Sequence, residues 1–209
     1  MTDAHDAFPD ELPLLPLRGM VVFPPCVVPV AVSRPASIRL VDEAVASGSL
    51  VVVSAQRDDD PAQWYAVGAS ALVHRLVRLH DGTLRIALQA FDRVVIDGVT
   101  QQEPYLRVQA HRLPDRLDNP DMTTHMHEAL ARARELLNAL PPNEELRAQL
   151  ESTDDPRHLA ALMASMLLVR ASLAERQELL ELTDVGERLA RIGALLAQEL
   201  AILRGHLRM

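Results

Sequence analysis

Residues 12–32, LPLLPLRGMVVFPPCVVPVAV, are almost wholly apolar, yet prolines stand at 13, 16, 24, 25 and 29. Proline lacks a backbone donor and drives the residue before it towards extended geometry. The run therefore predicts two short strands around a break at residues 23–26, not a helix or a membrane span. Leu50-Val51-Val52-Val53 predicts a buried strand and residues 66–79 a longer one. In the longer one Leu72, His74, Leu76 and Arg78 alternate with Val73, Arg75, Val77 and Leu79, so one face is mostly apolar and the other mixed. His80-Asp81-Gly82-Thr83 is a hairpin signal, and Leu84-Arg85-Ile86-Ala87-Leu88 supplies the returning strand. Ile96-Asp97-Gly98 and Tyr105-Leu106-Arg107-Val108 predict further strands. In residues 33–47 the period changes: Ile38, Leu40, Val41, Ala44 and Val45 have near-helical spacing between an early proline and Gly48, which predicts one helix. Strands closed around a single helix predict a small barrel-like α+β unit.

Beyond residue 113 the pattern becomes helical. Residues 114–121, PDRLDNPD, read as a polar, proline-bounded linker. Met126, Leu130, Ala133 and Leu137 line one helical face, which Pro141-Pro142 ends. Asp155-Pro156 predicts another helix start, Ser172-Leu173-Ala174-Glu175 has capping-box spacing, and Asp184-Val185-Gly186-Glu187 repeats it with Asp as the cap. Val185, Leu189, Ile192, Leu196, Leu200, Leu203 and Leu207 then follow at spacings of three or four, predicting a long final helix. It meets Met209 with no stop signal, as a helix cut short or one needing a partner helix would. The expected organisation is a disordered stretch over residues 1–11, a β-rich domain over 12–113, the linker over 114–121, and an all-α bundle over 122–209.

Composition narrows the chemistry. The 209 residues are 48% hydrophobic, 24% charged and only 3% aromatic, so aliphatic side chains must fill the cores. A net charge of −8 with no basic block disfavours nucleic acid as the main partner. The single cysteine, Cys26, fits a reducing compartment, and the acidic start lacks the layout of a secretion signal, so a cytoplasmic location is expected. The chain contains no lysine, which excludes a Walker A loop, a Ser-Lys dyad and a Schiff base.

Candidate sites are few. Phe23, Pro24, Pro25, Val27 and Val28 form either an exposed apolar patch that takes up extended or misfolded segments, or a cap on the barrel core. Trp64 and Tyr65 follow the acidic stretch Asp58-Asp59-Asp60-Pro61 and either add an aromatic edge to such a site or pin a loop to the sheet. Met163 and Met166 read as core by periodicity, with an adaptable binding surface as the alternative. His125 and His127 fall on nearly opposite faces of a helix and cannot share a metal ion, and no other ligand cluster has recognised spacing. No G-x-S-x-G accompanies the serines. No catalytic, cofactor or metal residues are expected.

The opening LPLLPLRGMVVFPPCVVPVAVSRPASIRLVDEAV resembles the start of the N-terminal domain of Lon, the ATP-dependent AAA+ serine protease. AQRDDDPAQWYAVGASALVHRLVRLHDGTLRIALQAFDRVVI, EPYLRVQAHRL and residues 154–203 are similar to later parts of that domain, in the same order. Ser33-Arg34 stands where Gly-Arg is usual, Gly68-Ala69-Ser70 where Gly-Thr-Val is common, and Arg176-Gln177 where Lys-Gln is frequent. The resemblance implies a PUA-like β domain, a helical subdomain and a long helix leading to an ATPase ring. It implies a non-catalytic part that meets unfolded or damaged proteins and supports hexamer assembly, with ATP and Mg needed only in the ATPase part. The chain is thus expected to be a piece of a longer enzyme, associating with itself as a dimer or within a hexamer and having no membrane partner. The competing readings are a free-standing binding or regulatory protein of the same fold, an RNA-binding module using Arg75, Arg78, Arg85 and Arg93, and an esterase-like enzyme.

Overall fold

The structure, a computed structural model, describes residues 8–57 and 63–206. The acidic stretch Asp58-Asp59-Asp60-Pro61 and the start of the expected disordered segment lie outside the described residues. The chain divides into two compact units, Met1–Leu113 and Pro114–Met209.

The first unit contains strands β1 (Glu11–Leu17) and β2 (Val27–Val32), helix α1 (Pro35–Ser47), then β3 (Val51–Ala55), β4 (Val67–Arg78), β5 (Leu84–Gln101) and β6 (Arg107–Arg112). The two proline-broken strands form on either side of residues 23–26, and α1 ends on Gly48 in the left-handed region, φ 63°. Phe8 packs on the sheet, with the Arg112 guanidinium 5.3 Å from its ring centre. The Asp-Gly hairpin forms as the sequence predicts: Gly82 has φ 83°, the Leu79 N–H donates to Thr83 O, and the Thr83 N–H donates to Asp81 Oδ1.

The strands make one six-stranded sheet in the order β2-β5-β4-β3-β1-β6, which corrects the barrel-like, PUA-like expectation. Two findings separate this arrangement from a small barrel. β2 pairs with β5 alone and leaves a terminal edge. The apolar residues also split between two clusters: Leu15, Val51 and Val53 join Val30, Ile86, Leu88 and Leu40 of α1, while their neighbours Leu14 and Val52 join Leu12, Val94 and Val108. Both faces of the parallel pair β1–β3 are therefore buried, which is why Val51-Val52-Val53 is apolar without alternation. The two strands predicted around Leu84 and Ile96 are one, an 18-residue β5 whose far end bends through register shifts to pair with β6.

The second unit contains α2 (Met122–Ala139), α3 (Glu144–Ser152), α4 (Pro156–Met166), α5 (Leu173–Glu181) and α6 (Val185–His206). α3 has no counterpart in the sequence reading; its start is held by Asn143, whose side chain accepts from the Leu146 N–H. Asp155 caps α4, and the Ser172–Glu175 box is complete in both directions at α5. α2 packs along α6, where Ala129 faces Gly193 and lets the backbones approach. Residues 114–121, expected as a linker, belong to this unit and are bonded to it. The Arg116 N–H donates to Thr183 O and the Val185 N–H to Arg116 O, and the buried Arg188 guanidinium donates to Asp115 Oδ1 at 2.6 Å and to Leu182 O. Asp184 Oδ1 accepts from the Glu187 N–H and from Asn119 Nδ2, both at 2.9 Å. Those bonds, the Glu187 N–H foremost, hold the Asp184 carboxyl below the usual carboxylate range against the opposing effect of burial.

Candidate functional site on the outer face of the terminal strands

Burial fixes which side chains of β2, β5 and β4 point outward. Leu84, Ile86, Leu88 and Ala90 of β5 and Val30 and Val32 of β2 face the core, and burying such a side chain is worth about 1.5–3 kcal/mol. Alternation then sends Val27, Pro29 and Ala31 to the other face, with Arg85, Ala87, Gln89 and Phe91. The register aligns them in rows: Val27 beside Gln89 beside Leu72, Pro29 beside Ala87 beside Arg75, and Ala31 beside Arg85 beside Val77. Directly paired residues share a face. Val27 is 57% exposed, Val77 58% and Phe91 40%, so this outer face holds large apolar side chains in solvent, interspersed with Arg75, Arg85 and Gln89.

Pro29 suits this position. The Ala90 N–H donates to Cys26 O, so Cys26 and Ala90 form a hydrogen-bonded pair, and antiparallel alternation points the backbone groups of residue 29 away from β5. Only at such a position does a residue without N–H cost the sheet no ladder bond.

The expected substrate-binding residues fare unequally. Val27 and Pro25 are exposed, Pro24 is half-buried, and Val28 turns inward and packs against the first core cluster. Phe23 is buried, 3% exposed, because the chain folds it under the break at which the Cys26 N–H donates to Phe23 O. Trp64 pairs with Gln56 in an isolated bridge and packs against the second core cluster, so it does not share a face with Val27. The Tyr65 N–H donates to Ala55 O, Ser54 Oγ donates to Tyr65 O, and Arg57 lies 4.8 Å from the Tyr65 ring centre. These contacts fasten a loop to the sheet. Met163 is buried and Met166 exposed.

Leu72, Val77 and Phe91 were not singled out in the sequence, although the mixed face of residues 72–79 was visible in the alternation. Assigning them to one surface required the pairing of β5 with β2. The proposed arginine group is dispersed. Arg93 is buried and Arg78 pairs with Asp42 at 2.7 Å, leaving Arg75 and Arg85 on the outer face.

A separate polar cluster ties α1 to Tyr105, just before β6, and β1 to β5 and β6. The Tyr105 hydroxyl donates to Glu43 Oε2 at 2.5 Å, Arg39 Nε donates to Glu43 Oε1, and Arg107 Nε and Thr100 Oγ1 both donate to Glu11 Oε1. These donors hold both carboxyls below their usual range, Tyr105 first for Glu43 and Arg107 first for Glu11. The Glu43 carboxylate in turn pushes the Tyr105 hydroxyl up, so the phenol stays protonated and serves as the donor. A cavity of about 500 Å³ lies beside this cluster, lined by Pro9, Leu12, Ser47 and Leu50 among others. Among the described residues no group of three or more His, Cys, Asp or Glu side chains is placed to hold a metal ion, and no helix is long and apolar enough to cross a membrane.

Residues 11–198 match the family model of the ATP-dependent protease La (LON) substrate-binding domain. Over 208 residues the chain is 35% identical to Lon protease 1 of Herpetosiphon aurantiacus, covering 94% of this chain and 25% of that protein. Over 201 residues it is 34% identical to the Lon protease of Trichlorobacter lovleyi, covering 91% and 24%. The chain spans about a quarter of the length of these relatives. Its fold is similar to the N-terminal domain of a Mycobacterium avium complex Lon protease, with a TM-score of 0.73, 19% identity, and coverage of 90% of this chain and 98% of that one. It is also similar to the Lon N-terminal domain protein of Xanthomonas campestris, with a TM-score of 0.64, 23% identity, and coverage of 88% and 97%. The chain therefore belongs to the LON substrate-binding domain family, the non-catalytic N-terminal region of the Lon-type AAA+ proteases.

Proposed function

We propose that the outer face of β2, β5 and β4 is where this domain holds unfolded or damaged polypeptide for a Lon-type protease in the cytoplasm. What supports it is one outer sheet face on which Val27, Val77 and Phe91, at separate positions of β2, β4 and β5, all hold large apolar side chains in solvent. Burying those side chains against a client releases ordered water, but association and ordering costs cancel much of the gain, so one domain binds weakly. Weak single contacts suit a receptor that must release its client to an ATPase ring. Several copies held in a hexamer, to whose assembly this domain contributes, raise the effective concentration.

The test is a variant carrying Val27→Ser, Val77→Ser and Phe91→Ser, titrated against a carboxymethylated, permanently unfolded protein. All three side chains are exposed, so the fold survives, and circular dichroism checks it. Affinity should fall at least about tenfold. Unchanged affinity in a folded variant removes this face from client binding.

A further inference from the structure

The same face carries a charge bias. No Asp or Glu occurs in β2, in residues 72–77 of β4 or in residues 85–91 of β5, in a chain whose net charge is −8. Arg75 and Arg85 are both exposed there, and neither has an ion-pair or hydrogen-bond partner among the described residues. Elsewhere in the unit Arg39, Arg78, Arg107 and Arg112 each hold a carboxylate, those of Glu43, Asp42, Glu11 and Asp92. Register sets each free guanidinium among apolar neighbours, with Arg85 between Ala31 and Val77 and Arg75 beside Ala87. Contact by side chains across the face is favoured over backbone pairing along the edge, because Pro29 interrupts the donors of β2 at its centre.

We infer that the segments held on this face are extended stretches in which aliphatic side chains are interspersed with Asp or Glu. The aliphatic groups pack on Val27, Val77 and Phe91, and the carboxylates pair with Arg75 and Arg85. This rests on the docking reading above and adds a selectivity to it. Single-stranded nucleic acid also presents anions, but its usual receptors combine a basic groove with several stacking aromatics. Phe91 is the one aromatic side chain on this face, and aliphatic groups surround the two cations.

The test uses fluorescence anisotropy of short labelled peptides that share their leucines and differ only in carrying Glu, Gln or Lys between them. The native chain should bind the Glu peptide about threefold to tenfold more tightly than the Gln peptide, and the Lys peptide least. Added salt should shrink the gap. A variant with Arg75→Glu and Arg85→Glu should reverse the order, which a structural role for these arginines would not produce. Equal binding of the Glu and Gln peptides overturns the acidic preference and leaves apolar docking standing. If none of the three binds a folded chain, both readings fall. A labelled single-stranded oligonucleotide that binds more tightly than the Glu peptide, and loses that binding in the arginine variant, overturns the inference in favour of nucleic acid.

Discussion

At the helix starts of the second unit the residue that governs a cap sits a few places along the chain: Ser172 and Glu175 cap each other, Asp155 caps its own helix, and Asp184 accepts from the Glu187 N–H. In the β unit the governing residue is far away. Val27 is exposed because Val28 and Val30 are committed to a core shared with Leu88 and Ile86, and Arg85 gains its apolar surroundings from Ala31 and Val77. Helix ends are local chemistry and sheet faces are pairing chemistry. A functional surface on a sheet is consequently less visible in sequence than a helix cap of similar energetic weight.

Each unit can be followed by itself, since the single tryptophan, Trp64, reports on the β unit while far-ultraviolet circular dichroism is dominated by the helices. The largest effect is expected for Gly68→Ala. A Cβ at residue 68 would lie 2.3 Å from the Val53 carbonyl oxygen, so β3 and β4 must separate. A loss of about 3 kcal/mol is expected, seen as earlier urea unfolding by Trp64 fluorescence. An unchanged midpoint would mean that the sheet yields at that contact.

Asp184→Ala comes next. It removes the cap of α6 and the acceptor for Asn119 and Arg116, which should cost about 1–2 kcal/mol in the helical signal and leave the Trp64 transition in place. The pH dependence has a definite sign. The folded carboxyl is held below its ordinary range, so its contribution is complete above that range and disappears as pH falls through the depressed folded value. The gap between native and Asp184→Ala protein should thus close at pH values below about 4. A gap that persisted into strong acid would show that the carboxylate charge is not what holds the cap.

The smallest effect should come from Val27→Ser. At 57% exposure its removal from the surface should change stability by less than about 0.5 kcal/mol, measured by the same Trp64 transition. A cost comparable to that of a core valine would show that Val27 packs inward, and the outer face would lose its apolar anchor.

How much was legible follows the same division. The proline break, the Asp-Gly hairpin, the helix ending on Gly48 and the capping box at Ser172 were all readable, because each depends on residues within a few positions. The single β5, the two-sided burial of β1 and β3 and the terminal place of β2 were not, because they depend on which strand lies beside which. Phe23 illustrates the cost. Beside two prolines it fits either an exposed patch or a cap on the core, and only the fold over the break shows that it is buried.

Pro29 has one more consequence. On the proposed role, the domain would concentrate chains with exposed apolar strands, the material from which cross-β aggregates grow, and an open sheet edge is the natural seed for them. With an imino acid at the middle of its outermost strand, this sheet cannot extend an unbroken ladder into a visiting chain. The face proposed to hold clients is thus bordered by an edge that does not template their assembly.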